Sequence, residues 1–181
     1  MTTFIFVRHG ESEANRDFKI GALDTNLSDK GIEQAHQTGK ELAQSHKDIK
    51  TIVCSQFVRA QQTAEIIAAE LGIPLSNIKV FENLAERRMG KYEGQPKEHE
   101  TAWYYTAEAE NSEFEPRADL LKRMHTALEK IAALGKDGMV LVVGHALSGY
   151  FLMQASKGIA DIHEMPDGNM MPNASYFEVT V

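Results

Sequence analysis

Three short apolar runs restrict the fold of this chain more than any other feature. They occupy residues 4–7, 51–54 and 139–143. Each run is too short to form a helix and suits a strand that is buried on both faces. Segments with helical periodicity separate the runs, and strands that alternate with helices form a mostly parallel sheet. The sequence therefore predicts an α/β fold with a mostly parallel sheet.

Apolar residues at helical spacing predict the helices between and after these strands. Ser28 is a suitable cap for a helix that begins near Asp29. The same periodicity predicts further helices over residues 57–71, 117–134 and 147–155. The first of these is followed by glycine and then proline, which is a common way for a helix to end.

The remaining segments suit shorter strands and loops. Residues 78–81 are expected to form a short edge strand, and residues 175–181 alternate enough to form a last strand. Residues 82–94 are polar, include two glycines and are expected to form a surface loop. Because the chain has no internal repeat, low-complexity tract or linker, residues 1–181 are expected to form a single domain.

Cationic and polar side chains follow the three predicted strands. Arg8 and His9 come directly after the first run, and His145 follows the third run after one glycine. Ser55 follows the second run, and Arg59 lies in the first turn of the next predicted helix. In such sheets, ligands bind outside the carboxyl ends of the strands. We therefore expect an anion to bind where these two arginines and two histidines meet.

The composition restricts the partners of such a site. The chain has 181 residues, of which 43% are hydrophobic and 25% charged, as in an ordinary soluble globular protein. A net charge of −7, without a basic stripe or tail, argues against nucleic acid or an anionic membrane as the main partner. A small anionic ligand fits better. The residues predict no particular oligomeric state.

A cytoplasmic location is expected from cysteine usage and hydropathy. Cys54 is the single cysteine, so the chain cannot form an internal disulfide. The apolar run before Arg8 has four residues, far fewer than the apolar core of a signal peptide. No later run approaches the length of a membrane span.

Two imidazoles and two guanidiniums favour phosphate chemistry over a metal site. Metal sites usually recruit a third nitrogen, sulfur or carboxylate ligand, and two arginines would repel a divalent cation. A guanidinium fork, in contrast, binds two phosphate oxygens. Arg8, Arg59 and one histidine can stabilise a transferring phosphoryl group, while the other histidine attacks phosphorus as a neutral nucleophile. We expect no metal at this site.

Such a reaction also needs a proton donor for the leaving oxygen. Negative charge nearby raises the pKa of a carboxyl group, so a glutamate beside a phosphate can donate a proton near neutral pH. Periodicity leaves six candidates open: Glu11, Glu13, Glu65, Glu82, Glu86 and Glu93.

An ordered series of short motifs resembles the histidine phosphatase superfamily, in its phosphoglycerate mutase-like branch. The series covers nearly the whole chain, and its order is far more specific than the Arg-His-Gly triplet alone. It comprises residues 8–12, Asn15, 21–24, Leu27, Ser28, Gly31, Ser55, Arg59, Ala60, Thr63, Ala64, 84–86, Gly90, Glu93, Gly94, Gly144, His145 and 173–175.

The resemblance implies a three-layer α/β/α sandwich and a role for each site residue. His9 would be the nucleophile that becomes phosphohistidine, and Glu86 would be the proton donor. Arg8, Arg59 and His145 would hold the phosphoryl group. The residues implied in substrate binding are Ser12, Asn15, Gly21, Ala22 and Ala146. The family uses no metal, and the resemblance implies no cofactor.

Departures from the family pattern favour a phosphatase. The stretch between Glu86 and His145 is shorter than in the cofactor-dependent mutases, and residues 92–94 are typical of phosphatase members. We therefore expect hydrolysis of a small phosphomonoester. A phosphoglycerate mutase-type isomerase is the nearest alternative, and a phosphate- or phosphoprotein-binding module without turnover is a more distant one. The aromatic and acidic residues 103–114 are expected to form the wall that sets substrate selectivity.

Overall fold

The architecture is known from a computed structural model that describes residues 2–21, 24–97, 113–162 and 171–181. Within these ranges the chain forms five strands and five α-helices. In chain order they are β1 (Thr3–Arg8), α1 (Glu13–Arg16), α2 (Asp29–Ser45), β2 (Ile49–Cys54), α3 (Val58–Leu71), β3 (Ile78–Val80), α4 (Arg117–Leu134), β4 (Met139–Gly144), α5 (Ala146–Ser156) and β5 (Tyr176–Thr180). Short 3₁₀ turns lie at Leu75–Asn77, Glu82–Leu84, Gly90–Tyr92 and Gly135–Asp137.

The strands form one sheet in the order β3-β2-β4-β1-β5. β1, β2, β3 and β4 run parallel, and β5 pairs with β1 in the antiparallel direction. The register places Arg8 opposite Gly144 and Cys54 opposite Val143. The three apolar runs of the sequence are thus the three central strands, and the predicted mostly parallel α/β sheet is confirmed.

Helices cover both faces of this sheet. Phe4 and Phe6 of β1 pack with α4 and α5, whereas Ile5 and Val7 pack with α3 and with Leu42 of α2. Successive side chains of a strand point to opposite faces, so a continuous apolar run serves two cores at once. The predicted α/β/α sandwich is therefore confirmed.

Local signals mark the element boundaries where the sequence placed them. Ser28 is the N-cap of α2, and its hydroxyl accepts a hydrogen bond from the Gly31 N–H at 3.1 Å. Gly72 ends α3 in the left-handed conformation with φ of 67°. β3 is an edge strand, as the sequence predicts.

Two backbone segments approach so closely that glycine is required at both. A Cβ atom on Gly31 would lie 2.0 Å from the Glu11 carbonyl oxygen, and one on Gly10 would lie 2.4 Å from the Gly31 carbonyl oxygen. The Glu11 carbonyl also accepts a hydrogen bond from the Ser28 N–H at 2.9 Å. The loop after β1 is therefore fixed against the first turn of α2.

The prediction of a surface loop over residues 82–94 is wrong. Leu84 and Arg87 are fully buried, and Met89 is 6% exposed. Leu84 belongs to the core beneath α4, and Arg87 donates from Nε to the Glu115 carbonyl at 2.8 Å. The segment is buried because a partner segment 28 residues further along the chain satisfies its polar groups.

Residues 103–114, the predicted selectivity wall, lie almost entirely outside the described residues. Phe114 lies within the described residues. It is 3% exposed and packs edge-on against Tyr92. In the part of the chain that the structure covers, no helix has the length and apolar character needed to cross a bilayer.

Candidate active site

The parallel strands deliver two histidines and a serine to one edge of the sheet. The His9 N–H donates to the Gly144 carbonyl at 2.9 Å, and the Ser55 N–H donates to the Val143 carbonyl at 3.0 Å. These bonds continue the strand pairing by one residue beyond β1 and β2. As a result, the His9 and His145 rings lie with their centroids 5.0 Å apart.

Arg59 joins the two imidazoles. It is 3% exposed and lies in the first turn of α3. Its Nε donates to His9 Nε2 at 3.2 Å, and one terminal nitrogen lies 3.1 Å from His145 Nδ1. Its guanidinium also stacks 4.8 Å above the ring of Phe57.

These contacts determine which nitrogens carry protons, because a guanidinium only donates hydrogen bonds. His9 Nε2 must accept from Arg59, so its proton is on Nδ1, which donates to the Gly10 carbonyl at 2.6 Å. His145 Nδ1 also accepts from Arg59, and its Nε2 donates to the Ser55 hydroxyl at 2.8 Å. The lone pair of His9 Nε2 therefore lies on the Arg59 side of the ring.

Burial and positive charge keep both imidazoles neutral. Desolvation, followed by the charge of Arg59, lowers the pKa of His9 well below its ordinary value, and the same two causes lower the pKa of His145. Burial also lowers the pKa of Arg59, to about 10, which leaves it cationic at neutral pH. A neutral imidazole beside a fixed cation can attack an electrophile that carries negative charge.

Glu86 is the glutamate that the structure brings to this site. Of the six candidates, it alone lines the cavity that also contains Arg8, His9 and Arg59, among the described residues. Its carboxylate accepts from the Leu147 and Ser148 N–H groups, at 3.2 and 3.0 Å, in the first turn of α5. These two N–H groups hold the Glu86 carboxyl group at the start of α5.

Asn15 is oriented so that its amide nitrogen is available to the cavity. Its Oδ1 accepts from the Ser12 N–H and from Asn173 Nδ2, both at 3.2 Å. Asn173 Nδ2 also donates to the His9 carbonyl at 3.1 Å. With its oxygen occupied twice, Asn15 offers an N–H donor to a ligand. Asn173 is a site residue to which the sequence assigned no role beyond the motif.

The structure brings most of the predicted site residues to one cavity. Those that line it are Arg8, His9, Ser12, Asn15, Gly21, Arg59, Glu86 and Ala146. His145 is fully buried and joins them through Arg59. Ala22 lies outside the described residues. The arrangement offers a neutral nucleophile, several cationic or N–H donors for an anion, and a carboxyl group.

Other residues of the cavity were not found from the sequence. They are Lys19, Ile20, Met89, Lys97 and Leu147. The two lysines lie in polar loops, where a single exposed lysine belongs to no sequence pattern that would indicate a site. A bridge between Lys19 and Pro96 brings those two loops together, and no local signal could have indicated that pairing.

Comparisons with known proteins agree with this geometry. A model of the histidine phosphatase superfamily (branch 1) matches residues 4–181, which include every residue of the cavity. The uncharacterized phosphatase PhoE of Bacillus subtilis is 33% identical over 159 residues, which cover 87% of this chain and 79% of PhoE. The solved structure of Bacillus stearothermophilus YhfR has a TM-score of 0.84 and 26% identity, covering 100% of this chain and 92% of that one.

A mutase is also among the relatives. The 2,3-bisphosphoglycerate-dependent phosphoglycerate mutase of Borreliella burgdorferi is 37% identical over 105 residues. The match covers 58% of this chain and 42% of the mutase, so the chain spans less than half the length of that relative.

The lowered pKa values of His9 and His145 predict a specific pH dependence of stability. Below the ordinary histidine pKa of 6.5 the unfolded chain binds more protons than the folded chain, so stability falls as the pH is lowered through 6.5 towards the folded-state values. Each histidine contributes a slope of up to about 1.4 kcal/mol per pH unit. Urea unfolding at pH 7.5 and 5.5 should show a smaller decrease for His9→Gln or His145→Gln than for the parent.

Gln37, an exposed residue of α2 without a titratable group, provides the control for this measurement. Gln37→Ala should lose as much stability between the two pH values as the parent does. If the two buried variants also matched the parent, neutral burial of the imidazoles would be refuted.

Proposed function

Because the chain belongs to the histidine phosphatase superfamily, branch 1, we propose that it is a phosphohydrolase that cleaves a small phosphomonoester through a phosphohistidine on His9. The observation that carries this proposal is the hydrogen bond from Arg59 Nε to His9 Nε2 at 3.2 Å. It holds a neutral imidazole beside a cation at the wall of a cavity that Arg8 also lines. A phosphoryl group bound by both guanidiniums would lie next to the nucleophilic nitrogen.

The first step transfers the phosphoryl group to the enzyme. His9 Nε2 attacks phosphorus, the bond from phosphorus to the ester oxygen breaks, and Glu86 gives its proton to the departing alcohol oxygen. The hydrogen bond from Nδ1 to the Gly10 carbonyl, at 2.6 Å, stabilises the positive charge that forms on the ring. Arg8 and Arg59 stabilise the charge on the nonbridging oxygens.

The second step returns the enzyme to its starting state. A water molecule attacks the phosphorus of phosphohistidine while the Glu86 carboxylate accepts a proton from that water. The bond from phosphorus to Nε2 breaks, inorganic phosphate leaves and Glu86 is protonated again. The proton balance closes over the two steps without a metal or a redox partner.

Hydrolysis is favoured over isomerisation. Alignment length does not separate the two reactions, because PhoE aligns over 79% of its length and a probable phosphoglycerate mutase, GpmB of Yersinia pestis, aligns over 76%. A mutase must keep its substrate bound and return the phosphoryl group to it, which requires exclusion of water. The shorter chain between Glu86 and His145 supports release of phosphate to water.

Trapping the phosphoenzyme tests the proposed function directly. Rapid mixing with a substrate and quenching should yield an acid-labile, base-stable phosphoenzyme in the parent. His9→Ala should yield none and should lose activity by roughly a thousandfold or more, since nucleophile removal abolishes the covalent route. His36→Ala, at an exposed position, should behave as the parent. Full activity in His9→Ala would refute the proposal.

Glu86→Gln is expected to slow the reaction by a factor that depends on the leaving group of the substrate. The glutamine keeps the shape of the side chain but cannot donate an acidic proton. We expect about a 100-fold loss of kcat/KM, which reports the first step alone, with alkyl phosphates and a loss of only a few fold with p-nitrophenyl phosphate, whose leaving group needs no proton. Equal losses for both substrates would show that Glu86 has a structural role.

Lys19 and Lys97 add positive charge to the cavity and favour a substrate with a second anionic group. Lys97→Met should raise KM for a phosphorylated sugar acid by roughly tenfold, the value of one charge-assisted hydrogen bond. It should leave KM for p-nitrophenyl phosphate nearly unchanged. Equal changes of KM for the two substrates would contradict a role of Lys97 in binding a second anionic group. The products formed from the phosphorylated sugar acid also separate the two reactions, because a hydrolase releases free phosphate and a mutase yields an isomer.

A further inference from the structure

Arg123 on α4 uses its whole guanidinium to hold the segment that carries Glu86. Its Nε and one terminal nitrogen donate to the two carboxylate oxygens of Glu115, at 2.6 and 2.8 Å. The remaining donors reach the carbonyl oxygens of Asn83, Ala85 and Glu86, at 2.7, 2.6 and 3.1 Å. Since an arginine has five N–H donors, every one is accounted for.

Glu115 completes the arrangement from the other side. It is 5% exposed, and its Oε2 also accepts from the Arg88 N–H at 3.2 Å. Its backbone N–H donates to the Arg88 carbonyl at 2.9 Å, and its carbonyl accepts from Arg87 Nε at 2.8 Å. Although burial acts in the opposite direction, hydrogen bonds and charge from Arg123 lower the pKa of Glu115. The pair is therefore ionised at neutral pH.

The segment needs such a partner because it lacks regular structure. Residues 85–89 belong to no helix or strand, so their carbonyl groups have no ladder of their own. Without Arg123, three carbonyls on neighbouring residues would lose their donor at once. A bidentate guanidinium–carboxylate pair also has a fixed geometry, which a single point charge does not.

Glu86 itself depends on the position of that backbone. Its carbonyl binds Arg123, while its carboxylate binds the Leu147 and Ser148 amides of α5. The residue therefore lies between α4 and α5, attached to each by one end. A proton donor works only within hydrogen-bond reach of its target, and a misplacement of about 1 Å can cost about 100-fold in rate.

We propose that Arg123, held by Glu115, is a positioning residue that sets the Glu86 carboxyl group at the cavity for proton transfer. The inference rests on the proposed function of Glu86 as proton donor. Arg123 contacts the backbone of Glu86 and is not among the described residues that line the cavity, so its effect is transmitted through Glu86. Its loss should therefore reproduce the selectivity of a Glu86 defect.

The first test compares leaving groups in Arg123→Met. We expect kcat/KM to fall about 10- to 100-fold for an alkyl phosphate and less than about threefold for p-nitrophenyl phosphate. In the Glu86→Gln background, Arg123→Met should cause less than about a twofold further loss with the alkyl phosphate, because both changes remove the same step. Lys122→Met, an exposed cation on the same helix, is the matched control and should match the parent.

A defect of folding alone would give a different pattern. It would reduce activity with both leaving groups by the same factor and would add fully to Glu86→Gln, and either result would overturn the proposal. If Arg123→Met does not fold, Arg123→Lys provides the same test. The three donors on one lysine nitrogen cannot span the carboxylate and three carbonyls, so we expect the same selectivity with a loss of about three- to tenfold.

Amide NMR signals of Leu147 and Ser148 test the positioning without any substrate. Both amides donate to the Glu86 carboxylate, so their shifts report whether it is in place. In Arg123→Lys or Arg123→Met they should move towards the shifts found in Glu86→Ala, and unchanged shifts would overturn the proposal. If the parent hydrolysed no ester at all, the proposed function would fail, while these signals would still decide whether Arg123 positions Glu86.

Discussion

Parallel pairing of β1 and β2 on either side of β4 is the constraint on which the site depends. The register aligns the ends of the three strands, and the hydrogen bonds from His9 and Ser55 to β4 extend that alignment into the loops. The two imidazoles therefore meet through main-chain geometry, before any side chain makes a contact. Close packing of Gly10 against Gly31 then fixes the first of these loops on α2.

The electrostatics follow from the choice of partners for Arg59. Two neutral imidazoles accept hydrogen bonds from this buried guanidinium. These acceptors carry no charge that would oppose its own. Desolvation, followed by that charge, keeps both imidazoles neutral. An acidic protein with net charge −7 can thus maintain a local cationic cavity suited to a phosphorylated substrate.

The structure divides the site between rigid and irregular elements. The cations and the nucleophile lie at the ends of strands and at the start of α3, whereas Glu86 lies on a segment without regular structure. Arg123 replaces the missing backbone ladder there with three hydrogen bonds to carbonyl oxygens, and its other two hydrogen bonds hold it on the Glu115 carboxylate. A proton donor on such a segment reaches the cavity while α4 holds its backbone and the first turn of α5 holds its carboxyl group.

The sequence by itself determined the strands, the helices and the positions of Arg8, His9, Arg59 and His145. The reason is that apolar runs, helical periodicity and the residues that directly follow a strand are local properties of the chain. It could not choose among six glutamates without the family resemblance. Only the tertiary structure decided that Glu86 faces the cavity and that its polar segment is buried. The physical reason is that Arg123, nearly 40 residues away, supplies the hydrogen bonds that make this burial possible.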